Sequence, residues 1–382
     1  MGIKSALSSV WNKMDYLDNF KLFDNVYGIL DTSYMIYIAF GMTPYLRIKS
    51  PEGNFIYYNM SWQKYGISAW YSFLLLLAIA MTVIDELESH FNSIVNIYLI
   101  AQMIFSILTL NIFPARANIL LKAYGNCHEA EKTLKRLGFK LDYTSIHKIT
   151  LYGSLLMIFF ASMNLTLYIL WEKTIFDFIK FCFTYSFPCA VSVIPVYHFN
   201  YLGILVLQRL RLVNSYLAED FSSLTRKQVE YNLWAIAKVH SELCNAVNNV
   251  LYASAFSMVT FYFFTYLQFS ALLLGAMNIA HLTFDVETYI WNTIFIATTV
   301  GILVLATVLK YEATKTSYTL CEQTSTFFDD CIGTRRNTLL MQLLHQKVDL
   351  RIFGHFEVHL SRVLSDLQAL VNLLMFATQF RN

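Results

Sequence analysis

Long apolar segments are the feature of this sequence that most restricts its fold. A helix needs about 20 apolar residues to cross the hydrocarbon core of a bilayer. Seven segments come close to or exceed that length, and they run over 66–85, 92–113, 150–171, 178–206, 250–274, 290–310 and 359–380. Backbone groups in a bilayer must be hydrogen-bonded within the protein, which favours helices. We therefore expect an all-α, polytopic membrane protein with seven transmembrane helices.

Composition supports this prediction. Apolar residues make up 56% of the chain and charged residues only 14%, whereas a soluble domain carries about 25% charged residues. The net charge of +2 provides no basic surface suited to nucleic acid. The first 23 residues lack the apolar core of a signal peptide, so none is expected. A shorter apolar stretch over 34–46, interrupted by Gly41 and Pro44, is predicted to be interfacial or re-entrant.

Loop charges predict the orientation of the chain. The segments 114–149, 207–249 and 310–358 carry seven, five and six Lys and Arg residues, whereas the loops 86–91 and 275–289 carry none. Basic loops stay in the cytoplasm, so the N-terminus is expected inside and the C-terminus outside. This topology is inverted relative to G-protein-coupled receptors.

The basic segments also show helical spacing of apolar residues. It extends over 116–148, 223–250 and 317–352, which predicts that the membrane helices continue into the cytoplasm. We expect three regions: a cytoplasmic N-terminal region with the interfacial helix, a six-helix ligand-sensing domain, and cytoplasmic anchor helices followed by the last, pore-lining helix. They cover 1–64, 65–310 and 311–382.

Motifs of known chemistry are missing from the sequence. It has no phosphate-binding loop, dinucleotide-binding turn, zinc pattern or hydrolase signature, so neither an enzyme nor a cofactor or metal site is expected. Cys182 and Cys189 fall within a predicted span and the other four cysteines fall in predicted cytoplasmic segments, which argues against disulfides. No charged residue lies at the middle of a predicted span, an arrangement untypical of proton-coupled transporters.

Several short stretches resemble the signature of the insect gustatory receptors. They are Gly41 and Pro44, the segment 240–244, the segment 339–348 with the Gly354 turn that follows it, and Gln379 next to Phe380 at the end of the last span. In that family the last span ends in Thr-Tyr, five mostly apolar residues and Gln-Phe. Here Asn372 and Leu373 replace the Thr-Tyr pair, which places the chain outside the sugar-receptor subfamily.

The resemblance implies a ligand-gated, non-selective cation channel built from four subunits around one pore. The subunits would be identical or related, and they would lie in the plasma membrane of sensory neurons. The ligand would be a small-molecule tastant, such as a bitter or deterrent compound or a contact pheromone. It would bind in the outer half of each subunit, in a pocket formed by spans two to six.

The same resemblance places the pore at the last span. Gln379 and Phe380 would face the pore, with Met375 and Phe376 one helical turn deeper. A ring of Gln amides offers neutral hydrogen-bonding groups to a hydrated ion, and a ring of Phe can close a pore by excluding water.

Aromatic and amide residues in the outer halves of the spans form the candidate ligand pocket. Pockets for small organic molecules are mostly apolar and aromatic with a few polar groups. The candidates are Tyr98, Gln102, Asn164, Tyr168, Trp171, Tyr262, Tyr266, Phe269 and Trp291. Packing between helices and an interfacial belt of aromatic rings would produce the same pattern.

Three other functions are compatible with parts of the pattern. An auxiliary co-receptor subunit would assemble into the channel without binding a ligand. A metabotropic receptor would need its C-terminus inside the cell. A transporter is expected to show internal repeats with broken helices, and the sequence shows no such duplication.

Overall fold

The structure of the chain is a computed structural model. It describes residues 40, 42, 46–49, 55–58, 63–88, 94–146, 148, 149, 152, 153, 174, 179, 182–218, 225–276, 286–327, 341 and 348–379. The long helices are α1 (Gln63–Glu88), α2 (Ile94–Ala115), α3 (Ala117–Arg136), α4 (Phe187–Leu217), α5 (Arg226–Ala276), α6 (Val286–Phe327) and α7 (Ser361–Gln379). The strands are β1 (Leu46–Lys49), β2 (Phe55–Tyr58), β3 (Arg351–Ile352) and β4 (Phe356–Glu357).

Five of the described helices are long and apolar enough to cross a membrane. These stretches are Tyr65–Ile84, Tyr98–Ala115, Phe187–Leu217, Lys227–Ser270 and Asn292–Glu322. They overlap five of the predicted spans, so the prediction of a helical membrane protein is confirmed at this level. The predicted span 150–171 lies almost entirely outside the described residues. The predicted last span does form a helix, α7, but polar residues recur along it and it is not among the five.

Helix α4 lies at the centre of the bundle and packs against α2, α5 and α6. Because neighbours surround it, apolar residues occupy all of its faces and 78% of its most apolar stretch is buried. The crossing of α4 and α6 is close at Gly203, where an added Cβ would lie 2.9 Å from Leu305 Cδ2. A larger residue at this position would require the Leu305 side chain to move.

The helices continue well beyond the thickness of a bilayer. Helix α5 has 51 residues, a length of about 77 Å at 1.5 Å per residue, against about 30 Å for the hydrocarbon core. Its first half packs on α3 and on the ends of α4 and α6. We call these packed ends, residues 117–136, 207–217, 226–250 and 310–327, the extension bundle. The predicted continuation of the membrane helices is thus confirmed for 117–136 and 226–250.

Buried polar contacts hold the extension bundle together. The Asn214 amide donates to Glu312 Oε2 at 2.8 Å, and the Thr316 hydroxyl donates to Asn214 Oδ1 at 2.7 Å. The Tyr143 hydroxyl donates to Glu131 Oε2 at 2.5 Å. Burial and the neighbouring Glu131 carboxylate raise the pKa of Tyr143, so it remains a neutral donor. These contacts join three helices and the segment that follows α3.

Two short antiparallel hairpins interrupt the helical pattern. In the first, Leu46 pairs with Tyr58 and Lys49 with Phe55. In the second, Arg351 pairs with Glu357 and Ile352 with Phe356. The prediction of helix over 317–352 is wrong at its end, because Phe353 (φ 52°) and Gly354 (φ 76°) reverse the chain. The predicted interfacial helix over 34–46 lies outside the described residues apart from 40, 42 and 46, and residue 46 begins β1.

Candidate functional site

Helix α7 carries a row of mostly polar side chains along one face. Successive members are four, three, four, three and four residues apart, which keeps them close to one line on a helix with 3.6 residues per turn. All six are exposed in the single chain. We call this row the polar face of α7, and it consists of Ser361, Ser365, Gln368, Asn372, Met375 and Gln379.

Two predicted pore residues, Met375 and Gln379, belong to the polar face. Phe376 lies in the helix next to that line, and Phe380 lies outside the described residues. The rest of α7 is apolar in sequence apart from Arg362, Asp366 and Thr378. Amide and hydroxyl groups cannot face hydrocarbon without a large free-energy cost. The polar face therefore needs water or another polar surface beside it.

A second group of polar atoms lies deep in the bundle. Gln102 is fully buried, and its Nε2 donates to Cys189 Sγ at 3.0 Å while its Oε1 has no partner. Gln268 is 6% exposed, and neither atom of its amide has a partner. The large majority of buried side-chain polar atoms in proteins are hydrogen-bonded. Unsatisfied amides of this kind mark positions that favour a bound polar molecule.

Aromatic rings line the region between α2 and α5. The Phe264 ring packs edge-on against Tyr98 and against Phe105, each with a centroid distance of 5.5 Å. Gln268 follows Phe264 by four residues, so the two side chains lie one turn apart along α5. Tyr98 and Phe264 form a contact between α2 and α5, and Gln102 and Gln268 lie one turn from it on α2 and α5; we call these four residues the amide cluster.

The structure separates other predicted pocket residues from the amide cluster. The Tyr262 ring lies 5.4 Å from the ring of Phe356 in β4. Positions two apart on a helix point about 200° apart, so Tyr262 faces away from the side that Phe264 presents to α2. Tyr266 and Phe269, four and seven residues later, share the face of Tyr262.

The structure gives little information about the remaining predicted pocket residues. Asn164, Tyr168 and Trp171 lie outside the described residues, and Trp291 belongs to an early turn of α6. The sequence interpretation missed Phe264, Gln268 and Cys189. An amide four residues from an aromatic ring within an apolar span was the available signal for the first two, but the face of α5 that meets α2 was not evident.

Formal charge is absent around the amide cluster. The stretches 94–115, 187–208, 250–276 and 288–309 contain no Asp, Glu, Lys or Arg. No group of three or more His, Cys, Asp or Glu side chains suited to a metal ion occurs within the described part of the chain. The amide cluster is thus an uncharged, mostly aromatic environment with a few hydrogen-bonding groups, which is typical of sites for neutral organic molecules.

Comparison with known proteins yields no family, since neither a family model nor any curated protein matches the chain.

Proposed function

We propose that the chain is a subunit of a ligand-gated cation channel of the gustatory receptor type, with α7 lining the pore. The polar face of α7 is the observation that carries this proposal. The six side chains lie in one line and five of them are amides or hydroxyls, so they need an aqueous path or a polar partner. Four subunits around one axis would place the polar faces against a shared water-filled pore.

The chemistry of the polar face suits permeation by hydrated cations. The carbonyl oxygens of Gln368, Asn372 and Gln379 can replace or contact water around an ion without binding it tightly. The charged side chains of α7, Arg362 and Asp366, lie in its first turns and face one another at 3.8 Å. A pore lined by neutral amides favours weak selectivity among cations.

The amide cluster is the proposed ligand site. Because it is uncharged, aromatic and supplied with free amide atoms, we expect a neutral organic ligand with both a hydrogen-bond donor and an acceptor. Bitter or deterrent compounds and contact pheromones include molecules of this class. A ligand that fits the open state better than the closed state shifts the population toward opening.

Loop charges and the order of the helices provide the proposed orientation of the chain in the membrane. The extension bundle would lie in the cytoplasm, with the N-terminus inside and the C-terminus outside the plasma membrane of a sensory neuron. An auxiliary subunit that assembles but binds no ligand shares this architecture. The two functions differ in whether the chain responds when it is expressed without other receptors.

Recording from cells that express the chain alone, against a panel of neutral bitter compounds, tests the proposal. Ligand-evoked cation currents are expected. Asn372→Leu should lower the unitary conductance, because it replaces a polar lining group by an apolar one. Val371→Leu is the matched control, since Val371 is also exposed in the single chain but lies off the polar face. Equal conductance in the two variants would exclude α7 as the pore lining.

A further inference from the structure

The second hairpin is a compact structure immediately before α7. Its two strands of two residues, β3 and β4, are joined by the turn at Phe353 and Gly354. The Val358 amide donates to the Leu350 carbonyl at 2.8 Å and closes the hairpin. Leu350, Ile352 and Val358 are all buried, so the hairpin is packed onto the helices and not suspended in solvent. We call residues 348–360 the hairpin segment.

Contacts with α5 fix one side of the hairpin segment. The Asp349 amide donates to Asn248 Oδ1 at 3.1 Å. Fourteen residues further along α5 (262 against 248), the Tyr262 ring packs on the ring of Phe356 at 5.4 Å. A stretch of α5 about 21 Å long, at 1.5 Å per residue, therefore contacts this short segment at both ends.

Contacts with α6 fix the other side. Lys310 Nζ lies 2.6 Å from Glu357 Oε1, and the Leu360 amide donates to the Thr307 hydroxyl at 2.9 Å. Thr307 and Lys310 lie one turn apart on α6. The chain is thus attached to α6 at the last residue before α7 begins.

Phe356 links the hairpin segment to α7. The Arg362 guanidinium stacks over the Phe356 ring with its carbon 3.8 Å from the centroid, within the range of a cation–π contact. The same ring meets Tyr262 of α5. One half-buried side chain thus touches both a residue of α5 and the first turn of α7.

We propose that Phe356 couples α5 to the pore helix, so that a displacement of α5 is passed through the Tyr262–Phe356–Arg362 stack to the start of α7. The mechanical link concerns only α5, the hairpin segment and α7. Its effect on gating rests on the proposed channel function. Attachment to α6 limits how far the rest of the hairpin segment can shift, so a displacement of Tyr262 acts on the Phe356 ring and reaches Arg362 through it.

The test uses the full chain, purified and reconstituted in vesicles of neutral phospholipid. Phe356→Leu removes the ring but keeps an apolar side chain. Phe353→Leu makes the same change three residues earlier in the same hairpin, at a ring that is 51% exposed. Phe356→Tyr restores the ring. Elution from a size-exclusion column shows that each variant is folded.

Two readouts are taken, each on its own set of the variants. In the set that also carries Gln379→Cys, a nitroxide at this position reports the mobility of the far end of α7. Bilayer recording uses the unlabelled set, which keeps Gln379, and reports the basal open probability and the unitary conductance. Phe356→Leu is expected to increase nitroxide mobility and to change the open probability roughly three- to tenfold, from the loss of one cation–π contact. The unitary conductance is expected to stay unchanged. Phe353→Leu and Phe356→Tyr should behave like the parent chain.

The outcomes separate this inference from the channel proposal. If neither the parent chain nor any variant passes current, but Phe356→Leu still increases the mobility of α7, then the channel proposal fails and the coupling stands. If the parent chain conducts and Phe356→Leu matches Phe353→Leu in both readouts, the coupling is wrong. A change in unitary conductance without a change in open probability also contradicts it, because Phe356 would then act on the pore lining directly.

Discussion

Arg209 and Glu131 form an ion pair in which both side chains are almost completely buried. Arg209 Nη2 lies 2.8 Å from Glu131 Oε1, with the two side chains 3% and 2% exposed. Arg209 Nε donates to the same oxygen at 2.9 Å, and its guanidinium stacks over the Tyr143 ring at 4.9 Å. The pair joins α3 to α4 within the extension bundle, where water is excluded.

Arg209→Met is expected to destabilise the chain by about 3–5 kcal/mol, because it leaves a buried carboxylate without its partner. The double variant with Glu131→Leu should recover most of that loss, since no charge is then left buried. Thermal unfolding of the purified chain in detergent measures both. Arg211→Met is the control: Arg211 is 57% exposed in its contact with Glu312, and such surface pairs contribute about 0–1 kcal/mol. Equal losses of unfolding free energy in Arg209→Met and Arg211→Met would show that burial does not make the Arg209–Glu131 pair more important than the exposed one.

Gln268→Leu is expected to stabilise the unliganded chain by about 1–3 kcal/mol, because it removes a buried amide that has no partner. The same change should weaken the response to a neutral ligand. Thermal unfolding and dose–response curves measure the two effects.

Asn111→Leu is the matched control for that change. The Asn111 amide donates to the Ile107 carbonyl at 2.7 Å and to the Ser72 hydroxyl at 3.2 Å. Because this amide is satisfied, its removal should destabilise the chain. If both variants lose stability, the amide cluster is an ordinary part of the core.

The link between Lys310 and Glu357 predicts a pH dependence. A hydrogen bond from Lys310 holds the pKa of the Glu357 carboxyl below its ordinary value of 4.5. A lowered folded-state pKa stabilises the folded state above the unfolded-state pKa, and that contribution is lost as pH falls through the folded-state pKa. The attachment of the hairpin segment to α6 is therefore expected to be constant from pH 7.5 to about 5.5 and to weaken only below pH 4.5.

Glu357→Gln removes this charge at every pH and provides the comparison. At neutral pH it should reproduce the nitroxide mobility that the parent chain shows once the pH is below the folded-state pKa of Glu357. A parent chain whose α7 loosens between pH 7.5 and 5.5 would show that another group controls the hairpin segment.

Hydropathy predicted five of the long apolar helices correctly, because it depends on residues that are neighbours in sequence. Polar spacing in α7 is equally local, and the sequence contained the whole polar face, although only Met375 and Gln379 were identified. The second hairpin was not predicted. Its strands have two residues each, and contacts with Asn248, Thr307 and Lys310, distant in sequence, hold it in place.

The residues of the proposed ligand site were identified only in part for a related reason. Regular spacing shows which residues share a face of α5, but not which helix that face meets. Tyr262 and Phe264 are two residues apart and equally aromatic, yet one packs on Phe356 and the other on Tyr98. Only the arrangement of the surrounding helices distinguishes them.

The most direct test of a pore lined by the polar face of α7 is whether a water-soluble thiol reagent reaches that face during current recording. The described native cysteines are buried or partly buried, which keeps the background low, and the parent chain measures it. Asn372→Cys lies on the polar face and Val371→Cys next to it off that face, both exposed in the single chain. A charged methanethiosulfonate is expected to block current through Asn372→Cys and to leave Val371→Cys unaffected. Modification of both at equal rates, or of Val371→Cys alone, would contradict a pore lined by the polar face of α7.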